Sequence, residues 1–255
     1  MSRAAKAAFK DHFSRLAAAY ASFRPHYPRA LFEFLAGCCP RRELAWDCAC
    51  GSGQATIDLA QHFNAVLATD ASAAQIAAAL ARANVRYRVA DATASGLPSE
   101  STDLVSVAQA LHWFDLEPFY AEARRVLRSG GVLAAWSYGV LHVAGEEIER
   151  CVQHFYWDTV GAYWPPERRL VEEGYRSLPF AFAEMTAPSF EMQEDWSLPQ
   201  LIGYVRSWSA SARYLEKNAV DPAAVLEAQL AAVWGNADEL RRVRWPLSLR
   251  MGLKP

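Results

Sequence analysis

Residues 44–54 read LAWDCACGSGQ, and the fold turns on them. Apolar residues run into Asp47, a loop of small residues follows with glycines at 51 and 53, and a helical pattern begins immediately afterwards. That is a strand, a tight turn and a helix start. Glycines in such a turn let the backbone approach a ligand, because a side chain would strike either the ligand or the next helix. The helix N-terminus then faces whatever binds.

A dinucleotide fingerprint requires G-x-G-x-x-G, but one frame gives Ala49, Gly51 and Gln54 and the other gives Gly51, Gly53 and Thr56. Neither fits. Asp47 also precedes the turn, where a pyrophosphate would have to share a low-dielectric crevice with a carboxylate, whereas a cationic cofactor would be attracted to it. The stretch resembles motif I of the class I S-adenosylmethionine (SAM) dependent methyltransferases, an acid followed by G-x-G-x-G. It departs from that pattern at Ala49, where the family usually has glycine and where a methyl group is tolerated if the local φ is negative.

Further along, residues 65–70 form an apolar run ending in Asp70, which lies 17 residues beyond Gly53, near the distance at which a second-strand carboxylate meets ribose hydroxyls. Ser72 to Gln75 has the form of a capping box, starting a helix expected to reach residue 82. Residues 85–90 alternate and end in Asp91, so Asp47, Asp70 and Asp91 each close an expected strand on one sheet edge. Residues 103–110 read as a buried central strand leading into QALHWFD at 109–115, which resembles the corresponding motif of the type 11 methyltransferases related to trans-aconitate methyltransferase. Asp115 is expected to cap a helix running to residue 128 and stopping at Gly130 and Gly131, with a fifth strand at 131–137.

The resemblance implies SAM as cofactor. It places Asp47 near the methionine amine, Ala49, Gly51 and Gly53 at the close backbone approach, Asp70 with Ala71 on the ribose, Asp91 with Ala92 on the adenine, and Gln109 beside them. Y-x-x-x-R-P-x-Y-P at residues 20–28 is similar to a segment preceding motif I in small-molecule methyltransferases, which implies a lid contributing Tyr20 and Arg24 to the cofactor site and Tyr27 to the acceptor. His112, Trp113, Tyr138, Tyr204, Arg206 and Trp208 are the expected acceptor contacts. For His112 three roles stand open: general base, contact to cofactor or acceptor, and structural histidine. A base contributes about 10² to 10⁴ in rate, and only where the acceptor must lose a proton.

The chain has 255 residues, 52% hydrophobic and 21% charged, with a net charge of −2, so no electrostatic footprint for nucleic acid is present. Five cysteines, an odd number with no signal peptide before them, suit a reduced cytoplasmic setting. The C-C and C-x-C spacings are poor for zinc, so no metal is expected. Phe9, Phe13, Leu16 and Tyr20 fall on one helical face, which reads as part of the fold, and no apolar run approaches membrane-span length. Six of nine tryptophans follow residue 150, aromatic material for an acceptor pocket or for packing.

The expected fold is α/β: a Rossmann-like, doubly wound, seven-stranded, mostly parallel sheet with a helical cap inserted after the fifth strand. Within a single methyltransferase domain over 1–255, residues 1–40 would form a helical lid and 41–139 the SAM-binding core. Residues 140–187 and 198–235 would form the cap, and late strands at 188–197 and 242–252 would complete the sheet. The expected activity is methyl transfer from SAM to a small molecule, a carboxylic acid or a hydroxylated aromatic. The alternative is a SAM-binding protein of the same fold without turnover.

Overall fold

The computed structural model describes residues 25–255. In chain order the elements are α1 (Arg29–Cys38), β1 (Leu44–Cys48), α2 (Gln54–Leu59), β2 (Ala65–Asp70), α3 (Ala73–Ala77), β3 (Val85–Val89), β4 (Thr102–Ala108), α4 (Leu116–Val126), β5 (Leu127–Tyr138), β6 (His142–Val143), α5 (Glu146–His154), α6 (Arg168–Glu172), β7 (Ala183–Glu184), β8 (Phe190–Trp196), α7 (Leu198–Arg206), α8 (Ser209–Asn218), α9 (Pro222–Trp234) and β9 (Arg241–Leu253).

The strands order as β3-β2-β1-β4-β5-β9-β6, with β7 and β8 also on β9. β1 to β5 pair in parallel and β9 runs antiparallel to β5 from Val132↔Leu253 to Tyr138↔Leu247. The order reverses between β1 and β4, so their carboxyl ends flank the crevice where doubly wound sheets bind ligands. β4 is buried along almost its whole length, as a strand covered on both faces must be. Trp46 packs beneath it and donates from Nε1 to Thr69 Oγ1 at 2.9 Å, fixing β1 against β2. At the other end, Asp103 accepts from the backbone N–H of Glu43 and Leu44 at 2.8 and 3.0 Å and from Arg128 at 2.7 Å.

The sheet has nine strands where seven were expected. The thirteen residues of β9 outrun the seven that pair with β5 and also carry the two-residue strand β6, while the two-residue strand β7 pairs with Leu253 and Gly252, two of the residues that β5 pairs with as well. α3 ends at Ala77 and not near residue 82, because none of its side chains is buried and an alanine-rich segment without a packed face has little to hold it. α4 ends at Val126, and Gly130 and Gly131 lie inside β5, where the Gly130 N–H donates to Lys254 O at 2.8 Å. Asp115 occupies the N-cap position of α4 without a side-chain cap bond. Within the expected cap segment 198–235, α7 and α8 are separated at Ser207 and Trp208, where the Ser207 hydroxyl bonds back to Tyr204 O and Trp208 is extended.

Two compact units emerge. One holds 26–141, 166–193 and 244–255 and contains the parallel sheet. The other holds 142–165 and 194–243 and is mainly helical. In the helical unit Trp208 is the hub, with ring centroids of Phe155, Tyr156, Trp164 and Tyr204 between 5.5 and 6.1 Å away. The expected helical face of Phe9, Phe13 and Leu16 lies outside the described residues. No helix among the described residues is long and apolar enough to cross a membrane.

Candidate functional site

The turn after β1 is left-handed three times, with φ of +56° at Ala49, +56° at Gly51 and +90° at Gly53. Ala49 therefore does not have the negative φ on which tolerance of its methyl group depended, and it carries a conformational cost that glycine would not. The two glycines are needed for different reasons. A Cβ at Gly53 would stand 2.4 Å from the Tyr87 hydroxyl, so this residue is forced by space as well as by φ. A Cβ at Gly51 would meet only Gln75 Oε1 at 3.8 Å, so it would project into open space above the turn. That is the cradle a ligand requires.

Asp70 closes the mouth of this cradle. Its Oδ2 accepts from the Gly51 N–H and its Oδ1 from the Ser72 N–H, each at 2.8 Å. One bond to each oxygen leaves further lone pairs for a ligand diol. Asp91, beyond β3, is exposed and accepts from the Thr93 N–H and hydroxyl at 2.8 and 2.7 Å; Ala71 is exposed and Ala92 half-buried beside these acids. Asp47 differs, being fully buried, with Oδ2 accepting from Thr56 Oγ1 at 2.6 Å and Oδ1 from Ser106 Oγ at 2.9 Å. It ties β1, α2 and β4 together beneath the turn. Burial pushes its carboxyl up to about 6, against the pull of those two hydroxyls, and the charge of Asp70 adds to the rise.

At the end of β4, Gln109 is again left-handed, with φ +60°, and its Nε2 is buried without a hydrogen-bond partner among the described residues. An unbonded buried amide beside the switch point is what a polar ligand would satisfy. A turn of 3₁₀ helix, Leu111–Trp113, follows and presents His112. His112 Nδ1 lies 2.9 Å from the Tyr175 hydroxyl, and the Trp113 ring, 38% exposed, lies 4.7 Å from the imidazole. Burial, aided by the charge of Arg168, lowers the His112 pKa to about 4, so the ring is neutral at pH 7. At the end of β5, Tyr27 packs edge-on to Trp136 at 5.8 Å and lies 6.5 Å from Tyr138.

The sheet unit thus brings together the expected Asp47, Ala49, Gly51, Gly53, Asp70, Asp91 and Gln109 at adjoining strand ends, with His112, Trp113, Tyr27 and Tyr138 at the ends of β4 and β5. Tyr20 and Arg24 lie outside the described residues. In the helical unit, Tyr204 and Trp208 are buried packing residues, and Arg206 is exposed and paired with Asp221 at 3.1 Å and Glu227 at 3.0 Å. Sequence reading missed Thr56, Ser106, Arg168 and Tyr175. Thr56 stood in plain view where a third glycine would fall, and Tyr175 follows a glycine at a helix end.

Comparison with known proteins agrees. Residues 46–135 match the type 11 methyltransferase domain family. A Dictyostelium discoideum protein assigned to the methyltransferases is 34% identical over 252 residues, covering 96% of each chain. A Saccharomyces cerevisiae protein assigned as a SAM-dependent methyltransferase is 34% identical over 131 residues, 47% of this chain and 44% of its own. A structure described as a type II methyltransferase from Anaeromyxobacter dehalogenans superposes with a TM-score of 0.87 at 45% identity, covering 91% of this chain and 98% of that one. With a whole-length relative and a matching cradle, this chain belongs to the methyltransferase family and takes S-adenosylmethionine as its methyl donor.

Proposed function

We propose that the protein transfers the methyl group of SAM to a small-molecule acceptor. The observation that carries this reading is the bond from the Gly51 N–H to Asp70, which sets a carboxylate with spare lone pairs at the mouth of a turn left open above Gly51. Asp70 and Ala71 would hold the ribose, Asp91 and Ala92 the adenine, and Gln109 a polar group of the cofactor. Gly51 and Gly53 would give the close backbone approach. When bound, SAM supplies an electrophilic methyl group on a positively charged sulfur. Asp47 acts from beneath the turn, placing negative charge near that cation and holding α2 in register.

Tyr27, His112, Trp113 and Tyr138 would position the acceptor and exclude water from it. Such placement can supply roughly 7 to 11 kcal/mol of a barrier. We read residues 41–139 as the cofactor core. Five free thiols support a reduced, cytoplasmic setting.

The acceptor could resemble that of the trans-aconitate enzymes, a carboxylic acid, or be a hydroxylated aromatic. Incubation with methyl-labelled SAM and a panel of both would separate them, since methyl esters release label in base and aryl ethers do not. One observation favours the non-catalytic alternative: Ala49 is strained where glycine is usual. SAM binding with no turnover across a broad panel would move the account to that reading.

A further inference from the structure

Tyr175 is fully buried, yet its backbone is left-handed, with φ +62° directly after Gly174 at +60°. Bulky residues avoid that conformation, so the surrounding structure imposes it. The Tyr175 N–H donates to Leu170 O at 2.8 Å, and its carbonyl accepts from Arg250 Nη1 at 2.8 Å. The same nitrogen of Arg250 donates to Leu178 O at 2.6 Å, and the guanidinium pairs with Glu184. Gly174 cannot be replaced without moving Ser248, whose Oγ would lie 2.4 Å from a new Cβ. The product of this bracing is a phenol set 2.9 Å from His112 Nδ1.

The direction of the proton in that contact follows from what surrounds the phenol oxygen. The Leu111 backbone N–H faces it and can only donate. The Ser137 hydroxyl also lies against this oxygen and acts on it as a donor, lowering the phenol pKa against the larger rise from burial. The phenol itself stays protonated, since burial holds it well above its ordinary range. Its proton therefore has Nδ1 as acceptor, and a neutral imidazole that accepts at Nδ1 carries its hydrogen on Nε2. Nε2 itself has no partner among the described residues. The groups facing the ring are Tyr175, the Arg168 guanidinium and the Trp113 indole.

We propose that Tyr175 is a positioning residue that locks His112 as the Nε2–H tautomer, so that His112 offers a hydrogen bond to an oxygen of the methyl acceptor instead of removing a proton from it. An N–H suits an oxygen that arrives already anionic, and the acceptor class this selects is a carboxylate. A phenol or an alcohol, which must lose a proton, would meet a ring whose accepting nitrogen is already engaged. The choice of acceptor rests on the methyltransferase reading above, but the tautomer does not.

The test is nitrogen NMR of the full chain labelled with ¹⁵N-histidine, the His112 signals being assigned by their loss in His112→Gln. At neutral pH the wild-type protein should show a single neutral His112 species with a protonated Nε2 and an unprotonated Nδ1. Tyr175→Phe should lose that single-tautomer signature and show both neutral forms. A protonated Nδ1 in the wild-type protein, or an unchanged tautomer in Tyr175→Phe, would overturn the proposal. The wild-type spectrum decides the tautomer even if the variant does not fold. SAM titration of the same sample reads the methyltransferase assignment separately, so either can fail alone.

Discussion

Thr56 on the first helix after the turn donates to the carboxylate of Asp47 at 2.6 Å, and Asp47 is wholly out of reach of solvent. Asp47 is the post on which the turn after β1 is mounted. Replacing one partner of a buried hydrogen bond to a charged group costs roughly 1–3 kcal/mol. Thr56→Val should lower stability by about that amount in chemical denaturation, and a loss below a few tenths of a kcal/mol would show that the bond contributes little.

The same carboxylate should make cofactor affinity depend on pH. Its pKa in the free protein is about 6, raised chiefly by burial, so it is ionised at neutral pH and neutral a unit or two below. A cationic ligand binds the ionised form better, and affinity should fall by up to about tenfold per pH unit below about pH 6. The demethylated product lacks the sulfonium charge and should lose less. Calorimetric titrations of both ligands across this range check it, and parallel curves for the two would remove Asp47 from the electrostatics of binding.

His112 titrates in the opposite sense. Its folded pKa of about 4 lies below the ordinary 6.5, so the unfolded chain takes up the proton first. The stability this group contributes is complete above about pH 6.5 and is lost progressively as pH falls towards about 4, with an upper bound of about 3 kcal/mol. Asp47 works against this in part, because its raised pKa makes its charge a cost that acid relieves. The difference between wild type and His112→Gln isolates the histidine. It should narrow as pH falls, and a difference constant with pH would place the pKa of His112 in its ordinary range.

Ala49→Gly should relieve a left-handed alanine. The expected gain is about 1 kcal/mol, seen as a Tm higher by a few degrees, with SAM binding retained or improved. A fall in stability would mean that the Ala49 methyl group packs well enough to offset its strain.

Gly53→Ala should weaken SAM binding by more than about tenfold, because the new Cβ meets the Tyr87 hydroxyl. Adding Tyr87→Phe removes the atom struck at 2.4 Å and should recover part of the loss, leaving the part due to φ +90°. No recovery in the double variant would assign the whole effect to the backbone.

How far the sequence could be read divides along a physical line. The cradle was legible because strand, turn and helix are contiguous, and the residues that set them, from Asp47 through Gly53 and on to Asp70, announce themselves by spacing. Whether φ at Ala49 was positive was not, because alanine carries no mark of the conformation the turn imposes. Tyr175 was invisible for a different reason. It lies 63 residues from His112, and only the docking of the segment after α6 against the end of β4 brings the two within 2.9 Å. The extra strands were missed because two-residue pairings such as β7 depend on the reach of β9 and leave no periodicity of their own.

The central claim is that the cradle between Asp47 and Asp70 holds SAM. Calorimetric titration of the purified protein with SAM and with its demethylated product, alongside Asp70→Ala, tests it most directly. Binding is expected in the micromolar range, about 8 kcal/mol, weakened more than about tenfold, or about 1.4 kcal/mol, in the variant. Equal binding by wild type and Asp70→Ala, or no heat from either ligand, would contradict it.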